Sequence, residues 1–205
     1  MSDSYVVAIV DDDDSVRHAT AGLLRRAGHR VESYTDGTEF LASDLPKDLG
    51  VILLDMRMPG MDGLGVMRAL RERELNVPTL VLTGHGDVPM AVEAMRLGAV
   101  DFLEKPYPPA ALLEAIERAR NMPVIGSGGP PINRDAQVKV ASLSERQREV
   151  LRGILRGQQN KIIAYELGLS IRTVEAYRAQ LLTKLRVRGT AEAVRLAIAA
   201  GMLAE

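Results

Sequence analysis

From Val6 to Arg120 the chain switches between two hydrophobic rhythms. Val6-Val7-Ala8-Ile9-Val10, Val51-Ile52-Leu53-Leu54 and Thr79-Leu80-Val81-Leu82 are short, nearly unbroken apolar runs. Such runs are expected of strands buried on both faces of a parallel sheet. Between them the apolar positions fall at helical spacing. Ser15–Leu24 predicts a helix ending near Gly28, and Arg30–Ser33 a second strand, followed by a short helix over Thr38–Ala42. A loop of turn formers, Met58-Pro59-Gly60-Met61-Asp62-Gly63, leads into a helix that ends near Arg73. Val88–Leu97 is a helix stopped by Gly98, Asp101–Glu104 a fifth strand, and Pro108–Arg120 a helix with proline at its start. Five βα units with short connections predict an α/β fold: a doubly wound (βα)5 parallel sheet covered by helices on both sides.

After Met122 the texture changes. Pro123-Val124-Ile125-Gly126-Ser127-Gly128-Gly129-Pro130-Pro131 is too rich in glycine and proline for a core element and reads as a linker. The remainder is helical throughout. Ser144 with Gln147 three residues later is a capping box for a helix running to Gly157. Asn160–Leu167 is closed by Gly168, Ile171–Leu185 is the longest segment, and Thr190–Ala200 is closed by Gly201. The expected organisation is a first domain over 1–122, a linker over 123–139 and an all-α domain over 140–205.

Charge supports this division. The net charge of −1 hides 13 basic against 20 acidic side chains through Met122, a balance of −7, and 13 against 7 beyond it, a balance of +6. Such asymmetry suggests two modules with different partners, the basic one a candidate for a polyanion. A chance excess of arginine on an ordinary surface is the plainer reading. There is no cysteine, which removes disulfides, thiolate chemistry and cysteine metal sites. No apolar run approaches membrane-spanning length and no secretory signal is evident at Met1–Ser4, so a cytoplasmic protein without membrane partners is expected.

Chemistry concentrates at the ends of the predicted strands. Asp11 and Asp12, Asp55, Thr83 and Lys105 each close one apolar run, and parallel strands present these ends at one ligand-binding edge. Two like charges ~4 Å apart repel by roughly 4 kcal/mol at an effective dielectric of ~20. Three ionised carboxylates therefore need a counter-charge, and a hard cation with oxygen ligands, Mg²⁺ or Mn²⁺, supplies it. Asp12 and Asp55 are the expected direct ligands, Asp11 acts through water, and the main-chain carbonyl of Arg57 completes the set. A carboxylate can also accept a phosphoryl group. Asp55, at the end of the central run, is the best acceptor. Lys105 neutralises the transferred charge and Thr83 donates to a phosphoryl oxygen. Asp13 and Asp14 are expected only to cap and charge the first helix. His18, His29 and His85 show no metal spacing, and His85 falls in the loop beside the pocket.

In the C-terminal part, Asn160–Leu167, the turn Gly168-Leu169-Ser170 and Ile171–Leu185 have helix–turn–helix punctuation, with Ser170 as N-cap. On the longer helix Val174, Arg178, Leu181 and Leu185 share one stripe, widened by Leu182. The other face shows Arg172, Glu175, Ala176, Ala179 and Thr183. Small residues at 176 and 179 would admit the helix deep into a major groove, where Glu175 can accept from a cytosine amine and Arg172 can meet a base or phosphate. Arg178 is expected to pack its stem and extend its guanidinium to a phosphate, with Lys161 and Lys184 as further phosphate contacts. Tyr165 and Tyr177 are the sole aromatics beyond Met122, too few for single-strand stacking platforms. A helical dimerisation module is the non-nucleic-acid alternative.

The segments Ile9-Val10-Asp11-Asp12, Leu54-Asp55 through Gly63, Leu82-Thr83-Gly84-His85-Gly86 and Glu104-Lys105-Pro106 resemble the receiver domain of two-component response regulators. Leu143–Leu151, Asn160-Lys161 and Arg172–Arg178 resemble the LuxR-type DNA-binding domain of the NarL/FixJ family. The likeness implies a strand order 2-1-3-4-5, Mg²⁺ at Asp11, Asp12 and Asp55, and phosphorylation of Asp55 by a sensor histidine kinase. It assigns Thr83 and Phe102 to a conformational switch. Many receivers carry tyrosine at the position of Phe102, so a switch here works by packing. Thr173 joins the DNA-facing set by the same likeness, and Tyr177 stands where many relatives have histidine. The segment Thr83–Met95 is similar to the rhizobial nitrogen-fixation branch, which implies a FixL-like kinase. The expected outcome is a phosphorylation-driven homodimer that binds promoter duplex and activates transcription with RNA polymerase. An aspartyl phosphatase or phosphotransferase, and a phosphorylation-independent DNA-binding regulator, are the alternatives.

Overall fold

The computed structural model describes residues 5–84, 88–121, 133–187 and 189–202. His85 and the Pro123–Pro131 stretch lie outside them. Contacts divide the chain into two compact units, an α/β unit and a helical unit.

From Val6 to Asn121 the chain follows the predicted alternation: β1 (Val6–Val10), α1 (Asp14–Arg26), β2 (Arg30–Tyr34), α2 (Gly37–Ala42), β3 (Leu49–Asp55), α3 (Gly63–Glu72), β4 (Thr79–Thr83), α4 (Val88–Arg96), β5 (Asp101–Glu104) and α5 (Pro109–Asn121). The sheet is parallel with order β2-β1-β3-β4-β5, the order the family resemblance implies. β1 and β4 are buried along their whole length, as their unbroken apolar runs require. β2 lies at one edge and is largely exposed. Val7, Ile9, Val51, Leu53, Leu80 and Leu82 face one cluster, closed by Leu24 of α1 and by Leu112, Ala115, Ile116 and Ala119 of α5.

Helix starts are chosen by carboxylates. Asp13 accepts from the amides of Ser15 and Val16 at 2.8 and 3.1 Å, Asp36 from Thr38 and Glu39, and Asp62 from Gly65. The capping role expected of Asp13 is observed. Asp14 stands in the first turn of α1, where its charge was expected, and also pairs with Arg17.

The second unit has five helices among the described residues: α6 (Arg134–Ala141), α7 (Glu145–Leu155), α8 (Asn160–Leu167), α9 (Ile171–Leu185) and α10 (Thr190–Ala199). α6 is a correction. Residues 134–139 were expected within the linker, yet Asn133 caps a helix there by accepting from the amides of Asp135 and Ala136. Ala136 and Val140, one turn apart, supply its buried side. The amide of Asn133 donates to the Ala199 carbonyl at 2.7 Å and anchors its start to α10. The capping box at Ser144 and Gln147 is present, at 3.3 and 2.9 Å. α8 ends at Gly168 with φ of 64°, the left-handed conformation that glycine accepts without a Cβ penalty. Ser170 then caps α9 through the Thr173 amide at 3.1 Å.

Gly63, the first residue of α3, sits against the end of β3. A Cβ there would lie 2.6 Å from the Asp55 carbonyl oxygen and 2.9 Å from the Met56 Cα, both backbone atoms that cannot yield cheaply. Gly63→Ala is therefore expected to destabilise the α/β unit by about 1–3 kcal/mol, read as a lower urea midpoint at unchanged slope.

Candidate functional site

The sheet brings the acidic residues together because its strands end at one edge. Asp11 follows β1 directly, Asp55 is the last residue of β3, Thr83 the last of β4, and Lys105 follows β5. The ladder extends one residue beyond the strands: the Asp11 amide donates to Tyr34 at 3.2 Å and the Lys105 amide to Thr83 at 2.7 Å. Those bonds aim the side chains before any side-chain contact forms.

Lys105 Nζ bridges two carboxylates, 2.7 Å from Asp11 Oδ2 and 2.8 Å from Asp55 Oδ2. Asp11 is fully buried, and the lysine side chain is 20% exposed. The other oxygens are also engaged: Asp11 Oδ1 accepts from the Asp13 amide at 3.0 Å and Asp55 Oδ1 from the Arg57 amide at 3.3 Å. Asp12 is exposed, and one carboxylate oxygen from each of Asp11, Asp12 and Asp55 lies within 4.8 Å of the others. The peptide joining Lys105 to Pro106 is cis, as the X-Pro sequence permits.

Electrostatics make this a cation-seeking pocket. Burial pushes the Asp11 carboxyl above the ordinary aspartate value, despite the opposing hydrogen bond from Lys105. Burial works against the Lys105 charge, yet its bonds to Asp11 and Asp55 hold the ammonium above the ordinary lysine value. Both shifts favour bound positive charge. One ammonium faces three carboxylates, and a hard divalent cation fits the deficit through the oxygen donors of Asp11, Asp12 and Asp55.

Thr83 and Phe102 are 3% and 2% exposed. The Thr83 hydroxyl donates to the Gly84 carbonyl at 3.1 Å, a neighbour along the chain. Phe102 lies in β5 opposite Val81.

In the second unit α9 separates its faces as its spacing predicts. Val174, Leu181 and Leu185 are buried; Arg172, Glu175, Ala176, Ala179, Thr183 and Lys184 are exposed, and Thr173 is half-buried. Lys161 is exposed at the start of α8, whose N-cap Gln159 makes no side-chain cap bond. A lysine beside the positive end of a helix dipole is favourable only with an anion between them, which suits a phosphate.

Arg178 is half-buried where the two faces meet. Its guanidinium donates to Asn160 Oδ1 at 2.8 Å and Thr190 Oγ1 at 3.1 Å, tying α9 to the starts of α8 and α10. Burial lowers its pKa. Both terminal nitrogens are thus engaged inside the domain. Sequence reasoning also missed Arg17, buried beside the acidic loop, and Tyr107, hydrogen-bonded to Thr20. An arginine one turn inside an amphipathic helix was the available signal.

Residues 7–117 match the response regulator receiver domain, and residues 141–197 the luxR family of bacterial regulatory proteins. The chain is 43% identical over 202 residues to the transcriptional regulatory protein FixJ of Azorhizobium caulinodans, covering 98% of this chain and 96% of that protein. It is 40% identical over 189 residues to the tetrathionate response regulatory protein TtrR of Salmonella typhimurium, covering 92% and 90%. Among solved structures, full-length FixJ from B. japonicum aligns with a TM-score of 0.55 at 39% identity, covering 97% of this chain and 98% of that one.

Three outcomes are expected. A raised native pKa means that protonated Asp11 stabilises the fold fully below the ordinary aspartate value, and that this is lost as pH rises through the native value. In metal-free buffer Asp11→Asn should therefore be more stable than wild type at neutral pH, with the gap closing on acidification, by thermal melts across pH. Arg178→Met should cost about 1–3 kcal/mol of unfolding free energy, because Asn160 and Thr190 lose their partner. Exposed Arg172→Ala should stay within about 0.5 kcal/mol of wild type.

Proposed function

The chain belongs to the response regulators that join a receiver domain to a LuxR-type DNA-binding domain, and we propose that its phosphoacceptor is Asp55. It is a phosphorylation-dependent regulator that activates transcription, with a histidine kinase and promoter DNA as partners. The observation that carries the assignment of Asp55 is the pocket itself: three carboxylate oxygens within 4.8 Å, with Lys105 spanning Asp11 and Asp55.

A carboxylate oxygen of Asp55 forms a bond to phosphorus while the bond to the donor breaks, its electron pair leaving with the donor. Bound through Asp11, Asp12, Asp55 and the Arg57 carbonyl, Mg²⁺ or Mn²⁺ would neutralise charge on the phosphoryl oxygens. Lys105 stays as the second cation of the pocket, and the chain both directs this transfer and hydrolyses the product, without turning over outside substrates. The relatives are transcriptional regulators, which favours this reading over an aspartyl phosphatase.

The acyl phosphate adds about −1.5 to −2 charge at the sheet edge. Thr83 turns its hydroxyl from the Gly84 carbonyl to a phosphoryl oxygen, Phe102 repacks, and an existing equilibrium shifts toward a form that pairs with a second copy. The paired helical units then read half-sites about one helical turn, roughly 10 base pairs, apart. Arg172, Thr173, Glu175, Ala176 and Ala179 face the groove, and Lys161 and Lys184 the phosphates. The DNA-binding unit begins at Asn133, and the chain works in the cytoplasm with RNA polymerase. By likeness to FixJ, its kinase is FixL-like and its targets include nitrogen-fixation genes.

Full-length protein incubated with acetyl phosphate and Mg²⁺, trapped with borohydride and digested, should carry its label on Asp55. Light scattering should show dimer, and Asp55→Asn should stay monomeric. Label at another residue, or none, would sink the assignment. Affinity for promoter duplex should fall steeply with salt, and Lys161→Ala should flatten that slope by about one unit.

A further inference from the structure

Buried polar residues are informative because burial penalises them unless they are bonded. Six described residues of the α/β unit are both polar and buried: Asp11, Arg17, Thr20, Asp55, Thr79 and Thr83. Asp11, Asp55 and Thr83 form the pocket. Thr79 bonds the Val77 carbonyl where its own strand begins. Arg17 and Thr20 remain, three residues apart and so on one side of α1.

Both reach out of α1 to the loops that carry the pocket. Arg17 Nη1 donates to the main-chain carbonyl of Asp11 at 2.7 Å, and its Nη2 pairs with the Asp14 carboxylate. One guanidinium thus holds both ends of the tetrapeptide Asp11–Asp14, with Asp12 between them. Thr20 Oγ1 lies 3.1 Å from the hydroxyl of Tyr107, two residues beyond Lys105. The same helix therefore grips the loop bearing two acids and the loop bearing the lysine.

We propose that α1 is a brace, in which Arg17 and the Thr20–Tyr107 pair are positioning residues that set the spacing of the acid loop and of Lys105. The proposal rests on the reading of the pocket given above. Neither side chain supplies a ligand or touches the acceptor oxygen. Arg17 acts through the backbone of Asp11, so it governs where the carboxylates of Asp11 and Asp12 stand relative to Asp55. Thr20 and Tyr107 act through the segment Lys105–Tyr107, so they govern how Lys105 meets the acceptor. Partners one layer outside a metal site fix the orientation of its ligands, and their loss weakens metal binding while the ligands remain. Coulomb energy varies inversely with separation, so small displacements among these charges are felt.

The brace predicts different consequences for its two arms, tested in the full chain. Mn²⁺ affinity is measured by electron paramagnetic resonance, stability by metal-free melting, and phosphoryl transfer by single-turnover reaction with acetyl phosphate. Arg17→Gln, which keeps a donor but loses reach and charge, should bind Mn²⁺ about tenfold more weakly. Arg17→Lys should recover part of the loss, to about threefold below wild type. Tyr107→Phe should leave Mn²⁺ affinity within about twofold and slow transfer to Asp55 several-fold. A merely structural role would lower the melting temperature and leave both readouts unchanged, and that result overturns the brace. Should Arg17→Gln fail to fold, Arg17→Lys decides: Mn²⁺ affinity equal to wild type overturns the proposal. Wild-type protein that binds no Mn²⁺ would overturn the pocket reading itself, an outcome separate from any effect of the variants.

Discussion

Carboxylates cannot be buried side by side without positive charge between them, and the α/β unit is arranged around that constraint. Asp11 and Asp55 end adjacent strands, so the sheet itself forces them together. Lys105 comes from the far side of β4 to stand between them. One ammonium cannot balance three acids, and burial raises the proton affinity of Asp11 further. The pocket is thus poised for a cation and for the anionic group that a cation attracts. Removing its charges would relieve the fold at the expense of its chemistry, the usual tension at functional sites.

The helical unit solves a different problem. Its longest helix buries one side firmly and leaves the other bare. Val174, Leu181 and Leu185 do the first, while the small side chains of Ala176 and Ala179 keep the outer face low. Arg178 sits where the two faces meet. Its guanidinium joins α9 to the starts of α8 and α10, which fixes the angle between those helices.

α6 shows where pattern reading falters. A helix of eight residues with one buried pair offers little periodicity, and the exposed Val138 between Ala136 and Val140 blurs it. Pro130-Pro131 immediately upstream draws the eye to a linker. What stabilises the segment is a cap from Asn133 and a bond to the end of α10, and the second is invisible in one dimension. Isolated helices this short are marginal in water, so tertiary packing decides them.

The amino-acid order alone specified the α/β alternation, the acidic residues and lysine at strand ends, the capping box at Ser144 and the two-faced character of α9. Those features are local: run length, spacing and cap chemistry act over a few residues, and they survive projection onto a line. Tertiary structure decided that Lys105 spans Asp11 and Asp55, that Arg178 turns inward, and that Arg17 and Thr20 reach the pocket loops. Those outcomes join residues as far apart as 94 positions. They depend on which donor finds which acceptor once water is excluded, a choice that only the packed geometry makes.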